Sequence, residues 1–297
     1  NADGTFAPES GPRTVEMNSR DGYGMLSPTV YTHDGRTIAL GIVPDKLPGE
    51  NNYSLGWAHC YSLPREWSLA ADGSLVQKPY SGLTSMRSDK CFSLSDTDLD
   101  GSRSLDPVSG CRAEILARFT VGSSRFGFDI FGDGSSAGKI YYNPSTGEIV
   151  ADFSALSRWT NDAHVYDGVY RMALPERPAA GSEMKINLFI DGSVLDIFVN
   201  DRWAQSIRVF PLSETADGIS VFSEGRTRVL SLDAWNLASG GAGLGDIADD
   251  AFEAADQLVD VYDMQGRRVR AGVARASAVE GLDSGIYLVG GKKYVVR

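Results

Sequence analysis

Cysteine and histidine are scarce, three residues of each in a chain of 297. Cys60, Cys91 and Cys111 are odd in number and far apart, a pattern that fits neither a disulfide framework nor a zinc knuckle and allows at most one disulfide. His33, His59 and His164 have no second His, Cys or carboxylate at ligand spacing, so they are expected as surface or pocket-wall residues, with no metal and no cofactor implied. Long apolar runs are missing too, since none approaches the roughly 18 residues that a membrane-spanning helix requires. The first residues show no basic stretch followed by an apolar one, so no leader peptide is read there. Basic side chains fall short of acidic ones, 28 against 39. The resulting formal net charge of −11 would repel nucleic-acid phosphates and anionic lipid, and no nucleic-acid partner is expected. Helical periodicity is almost absent.

What remains is an ordinary globular composition, 42% hydrophobic and 23% charged, with enough length for more than one domain. Short runs alternate apolar and polar residues and are separated by Asp-Gly and similar turns, the pattern of antiparallel strands joined by hairpins. The clearest hairpin runs from Met184 to Asn200. There Met184, Ile186, Leu188 and Ile190 alternate with other residues, Asp191-Gly192 supplies the turn, and Val194 to Val199 returns. Further strands are expected at Thr29–Tyr31, Thr37–Val43, His59–Ser62, Glu114–Phe119, Arg125–Phe131, Lys139–Tyr142, Ile149–Asp152, Val169–Leu174, Gln205–Phe210, Gly218–Phe222 and Arg228–Ala234. Spacing of this kind predicts an all-β sandwich or barrel.

Composition shifts twice. Ser81 to Ser109 is rich in Ser, Asp and Thr with little alternation, and is expected to connect two β units. Ser239 to Asp256 runs Gly-Gly-Ala-Gly-Leu-Gly and then carries Asp246, Asp249, Asp250, Glu253 and Asp256, the build of a flexible, self-repelling linker.

Three ordered motifs carry a family resemblance over residues 1–237. The first is Asp3-Gly4-Thr5-Phe6, Pro8-Glu9-Ser10-Gly11-Pro12, Asp21-Gly22-Tyr23 and Asp34-Gly35-Arg36-Thr37-Ile38. The second is Gly56-Trp57, then Ser62-Leu63-Pro64-Arg65-Glu66 and Gln77-Lys78-Pro79. The third is Ile190-Asp191-Gly192-Ser193-Val194-Leu195-Asp196-Ile197-Phe198-Val199-Asn200, followed by Arg208-Val209-Phe210-Pro211. Together they resemble the glycoside hydrolase family 32 β-fructosidases from the last blade of the five-bladed propeller onward, with Asp196 where a glutamate is more usual. The resemblance implies retaining hydrolysis of fructosyl linkages in sucrose, inulin or levan, by a carboxylate nucleophile and a second carboxylic acid.

The motifs that hold those carboxylates in the family, Trp-x-Asn-Asp-Pro-Asn, Arg-Asp-Pro and Glu-Cys, are missing. Arg20-Asp21 is followed by Gly22, Asn161-Asp162 by Ala163 and Asn200-Asp201 by Arg202, and Cys111 is preceded by Gly110. No catalytic residue is therefore carried over. Five blades also need about 200–250 residues, at about 40–50 each, whereas roughly eighty precede the sandwich-like region. The resemblance places Asp21, Tyr23 and Trp57 near the propeller mouth as substrate-pocket candidates. A carboxylate accepts sugar hydroxyls there and an aromatic face stacks on C–H surfaces. It also leads to a Gly-Trp after Leu40, where this sequence has Gly41-Ile42. Arg65 and Glu66 are expected as a structural ion pair, and Trp159, Trp203 and Trp235 as core or inter-domain packing.

The last forty residues, with Val259-Asp260-Val261-Tyr262-Asp263 and Gly285-Ile286-Tyr287-Leu288-Val289, look like the C-terminal sorting domain of the type IX secretion system of Bacteroidetes. From Val259 onward seven basic and four acidic residues give +3. The resemblance implies a secreted or surface-attached protein that engages the type IX machinery. The expected architecture is all-β: a propeller remnant over 1–80, an antiparallel β-sandwich over 81–237, an acidic linker over 238–257 and a small β sorting domain over 258–297. Two further readings stay open, a lectin-like surface protein that binds carbohydrate without catalysis, and a structural adhesin.

Overall fold

Strand alternation buries one face of a sheet only when a second layer covers it, so the exposure of each strand tells where the layers meet. The structure is a computed structural model and describes residues 4, 15–19, 24–44, 58–156, 168–209, 215–238, 258–263, 267–289 and 292–296. The chain divides into two compact units, Asn1–Ala238 and Ser239–Arg297.

The first unit opens with a short strand, β1 (Asn18–Ser19), and a meander of β2 (Leu26–His33), β3 (Arg36–Val43), β4 (Cys60–Tyr61), β5 (Arg65–Leu69) and β6 (Leu75–Pro79). The meander pairs antiparallel in the order β2-β3-β5-β6, with β4 on β3, the chain-order arrangement of a single propeller blade. Asp34 and Gly35 close the β2–β3 hairpin with φ of 50° and 72°, the left-handed pair that a two-residue hairpin turn requires.

A 3-10 turn at Ser81–Met86 leads into β7 (Arg87–Ser104), β8 (Arg112–Thr120), β9 (Phe126–Gly132), β10 (Gly138–Asn143) and β11 (Glu148–Asp152). Then follow β12 (Val169–Ala173), β13 (Glu183–Asp191), β14 (Val194–Val199), β15 (Trp203–Arg208) and β16 (Gly218–Leu237). These form one antiparallel sheet ordered β1-β12-β11-β10-β9-β16-β8-β13-β14-β15, with β7 on β16. The sheet becomes a sandwich through β16: its residues 218–223 pair with β9, its residues 229–236 pair with β8, and the register shifts between Ser223 and Thr227. Side chains from both layers fill one core, including Phe119, Phe126, Phe128, Ile140, Ile115 and Leu188. The rings of Phe119 and Phe126 stack at 4.6 Å. Burying a side chain of this size contributes roughly 1.5–3 kcal/mol, so this core dominates the stability of the unit.

β14 is buried along its whole length. Leu195, Ile197 and Val199 face the sandwich core, while Phe198 faces a second cluster with Phe189, Leu83, Ala204 and Leu237. A strand covered on both sides reads as a continuous apolar run, which is why Val194–Val199 shows so little alternation.

Two expectations need correction. The Ser81–Ser109 stretch, expected to connect two β units, is itself largely a strand of the sandwich sheet, because 18 of its residues form β7. Most of β7 is exposed, and Leu94 and Leu99 are its buried apolar residues, so it never needed the alternation that marks a strand. The strands expected at Gly218–Phe222 and Arg228–Ala234 are one continuous β16. Cys60, Cys91 and Cys111 form no disulfide with one another.

The second unit contains β17 (Leu258–Asp263), β18 (Arg268–Ala274), β19 (Gly285–Val289) and β20 (Lys292–Val296), paired antiparallel in the order β18-β17-β19-β20. Its own core is Val259, Val261, Ala278 and Val289. Asp263 accepts from the Arg267 amide at 3.0 Å and pairs with its Nε at 2.7 Å, tying β17 to the start of β18.

Candidate functional site

The three pocket candidates, Asp21, Tyr23 and Trp57, lie outside the described residues, as do Trp159 and His164. Gly41 and Ile42 are described. The Gly41 amide donates to Ser62 Oγ at 3.2 Å and its carbonyl accepts from the Ser62 amide at 2.8 Å. Ile42 is half-buried between its strand partners Leu26 and Tyr61. His33 is exposed, 3.4 Å from Asp34. Among the described residues no group of three His, Cys, Asp or Glu side chains could hold a metal ion.

Arg65 and Glu66 were expected to pair with each other and do not. They are neighbours on β5, and successive strand side chains leave on opposite faces. Arg65 turns toward the sandwich and is fully buried, with NH1 3.0 Å from Glu16 Oε1 and NH2 2.8 Å from Asp196 Oδ1. Ser206 Oγ bonds both Arg65 and Asp196, and Gln77 Oε1 accepts from Arg65 NH1 at 3.2 Å. Glu66 turns the other way to Lys78 at 3.2 Å, Arg36 at 3.4 Å and the Ser81 amide at 3.1 Å.

Arg65 is thus a bolt between β5 on the meander and β14 and β15 on the sandwich. Burial pushes the Glu16 carboxyl above its ordinary range, against the opposing pull of the Arg65 guanidinium and the Met25 amide. Glu16 also accepts from the Ser206 amide at 3.0 Å and Gln205 Nε2 at 3.0 Å, and Asp196 accepts from the Leu63 amide at 3.0 Å. Both carboxyls are buried and fully hydrogen-bonded, the condition of structural charges rather than of an acid and a nucleophile open to a sugar. The signal for this bolt in the sequence was Asp196 itself, a lone charge within the apolar run of β14, which demands a buried partner.

Beside the bolt lies a groove of about 770 Å3. It is bounded by the β5–β6 turn (Asp72, Ser74), the segment after β12 (Leu174, Glu176) and the start of β15 (Arg202, Trp203). Arg202 crosses it, 3.4 Å from Asp72, 3.3 Å from Glu176 and 3.1 Å from Ser74 Oγ. The Gln77 amide donates to the Arg202 carbonyl at 3.0 Å, so the two walls are joined through backbone. Trp203 is half-buried, packed against the sandwich core, with the Arg202 guanidinium 5.5 Å from its ring centre. Trp235 is buried beneath Arg87, whose guanidinium sits 3.9 Å from the ring and bonds the buried Glu114 at 2.6 Å through both Nε and NH2. Trp203 and Trp235 are therefore packing residues first, and Trp203 is the one that also borders an open groove.

Comparison with known proteins bears on the same region. The family profile described as glycosyl hydrolases family 32 C terminal matches residues 82–236, more than half of the chain. The sucrose-6-phosphate hydrolase of Staphylococcus xylosus is 25% identical over 222 residues, covering 73% of this chain and 42% of that protein. That of Escherichia coli is 27% identical over 240 residues, covering 79% and 46%. The crystal structure of an exo-inulinase from Aspergillus awamori superposes with a TM-score of 0.64 at 19% identity, over 80% of this chain and 47% of that one. The chain spans less than half the length of each of these proteins.

Proposed function

Since the chain belongs to glycosyl hydrolase family 32, we propose that it is the C-terminal part of a fructosidase whose catalytic carboxylates lie on polypeptide preceding Asn1. The substrate is a fructosyl linkage in sucrose, inulin or levan, cleaved with retention by two carboxyl groups about 5–5.5 Å apart. In this reading the meander β2–β6 is the last blade of a propeller, and the sandwich braces it through Arg65.

The observation that carries the proposal is the state of β2. Every residue of this strand is exposed, including Leu26, Val30 and Tyr31 at 44%, 46% and 55%. A strand of that apolar content is ordinarily covered, and a preceding blade would cover it. The acids at the junction, Glu16 and Asp196, are already committed to Arg65, so chemistry on a sugar needs others.

The test is sugar release from sucrose, inulin and levan by two polypeptides, this chain and a version extended upstream. The short chain should release nothing and the extended one should turn over. Hydrolysis by the short chain would overturn the proposal.

The second unit, on the same proposal, is a sorting domain read by the type IX secretion machinery, which makes the protein secreted or attached to the cell surface. A separate core, a four-stranded sheet and a charge of +3 from Val259 onward support that reading.

A further inference from the structure

We propose that the junction between the meander and the sandwich is a pH-sensitive latch, in which Glu16 holds a proton that it gives up as the pH rises, loosening the bolt at Arg65.

The charge count comes first. Arg65 is fully buried and pairs with Glu16 at 3.0 Å and Asp196 at 2.8 Å, carboxyls whose side chains are 7% and 1% exposed. One guanidinium against two carboxylates leaves a buried excess of one negative charge. Uncompensated buried charge is so costly that such a group ordinarily takes up a proton instead. Among the described residues the neighbouring strands offer no relief. Arg208, two residues beyond Ser206 on β15, directs NH1 to Cys60 Sγ at 2.6 Å. Arg202, across the adjoining groove, is held between Asp72 and Glu176 at 3.4 and 3.3 Å, a second trio with the same excess of negative charge. Glu66 and Lys78 pair with each other at 3.2 Å on the opposite face of β5 and β6.

Glu16 is the acid placed to hold the proton. Its Oε1 receives Arg65 NH1 and the Ser206 amide at 3.0 Å each, and its Oε2 receives the Met25 amide at 2.7 Å and Gln205 Nε2 at 3.0 Å. Three of these donors are fixed by backbone or by charge. The Gln205 amide is not: turned over, it presents its oxygen, which accepts the proton of a neutral Glu16. Asp196 is differently placed, since it accepts from the Arg65 guanidinium, from the Leu63 amide and from the Ser206 hydroxyl, whose oxygen is taken by Arg65. Gly24 lies so close to Glu16 that a Cβ there would collide with Oε2, which leaves no room for water on that side. Burial raises the Glu16 carboxyl above its ordinary value; the Arg65 guanidinium and the Met25 amide oppose the rise, and the Asp196 charge adds to it.

The consequence has a definite sign. The unfolded chain releases this proton near the ordinary glutamate value, whereas the folded chain keeps it to a higher pH. The stability that comes with the proton is therefore complete below the ordinary value and is lost as the pH rises through the raised one. The test is urea unfolding of the full 297-residue chain over a pH series, compared with Glu16→Gln, which fixes the side chain in a neutral form. Tryptophan fluorescence reads the first unit, because all five tryptophans lie in it. Across the window the folding equilibrium constant of the wild type should fall relative to that of Glu16→Gln, by up to roughly tenfold per pH unit. A constant offset between the two, from a poorer contact with the Met25 amide, leaves that slope intact. A difference that does not change with pH, or that moves in favour of the wild type as the pH rises, overturns the proposal. Infrared spectra of the chain labelled with 13C-glutamate give a reading that needs no variant. The carbonyl band of a neutral glutamate should persist at a pH where an ordinary glutamate, with a value of about 4.3, is ionised. Its absence there overturns the proposal whether or not Glu16→Gln folds.

Discussion

Arg65 and Glu66 are adjacent, oppositely charged and both well buried, yet they should respond to substitution very differently. Arg65 holds both Glu16 and Asp196 at the junction, and removing one partner of a buried charge cluster typically costs about 3–5 kcal/mol. Glu66 pairs with Arg36 and Lys78, side chains that are 48% and 51% exposed, and such pairs contribute at most about 1 kcal/mol. Arg65→Met should therefore lower the urea midpoint sharply while Glu66→Gln barely moves it; equal shifts would mean that Arg65 is not the bolt. The sequence held half of this. Period-two alternation already puts consecutive strand residues on opposite faces, and a charge within the apolar run Val194–Val199 already calls for a partner. What no local pattern supplies is that the partners of Arg65 come from positions as distant as Glu16 and Asp196, because that depends on how two sheets dock.

Among the elements, those that carry a run of apolar residues were legible, whereas β7, largely polar and exposed, and the short β5 and β6 were not. The Met184–Asn200 hairpin is β13 and β14 with the anticipated turn, since Met184, Ile186, Leu188 and Ile190 all enter one core. β7 escaped notice because exposure on an edge lets Ser, Asp and Thr occupy a strand that is held by β16 alone. β2 is the opposite case, apolar enough to be recognised yet uncovered among the described residues. Its outer edge and its exposed Leu26, Val30 and Tyr31 are the features that drive edge-to-edge association. Light scattering of the chain should accordingly rise with concentration, and the double substitution Val30→Lys with Tyr31→Lys should suppress that rise. Scattering that ignores both substitutions would place the association elsewhere and remove the main support for a missing neighbour at β2.

At the scale of the whole molecule, the two units have separate sheets and separate cores, and the residues between them are those whose composition reads as a self-repelling linker. Each unit has a core of its own among the described residues, so if the first folds by itself, removing residues 239–297 should leave its melting temperature within about 2 °C of its value in the full chain. A domain of that size moves roughly 2–4 °C for each 1 kcal/mol, so a larger drop would reveal an interface between the units. The same deletion separates stability from address. If the terminal unit is a sorting domain, cells expressing the extended protein without residues 239–297 should make a folded, active enzyme that stays in the periplasm, detected by assaying fructan hydrolysis in periplasmic and extracellular fractions. Activity found outside the cells at the undeleted level would show that the terminal sheet serves another purpose, and would leave the membership of the chain in glycosyl hydrolase family 32 untouched, since that rests on residues 82–236.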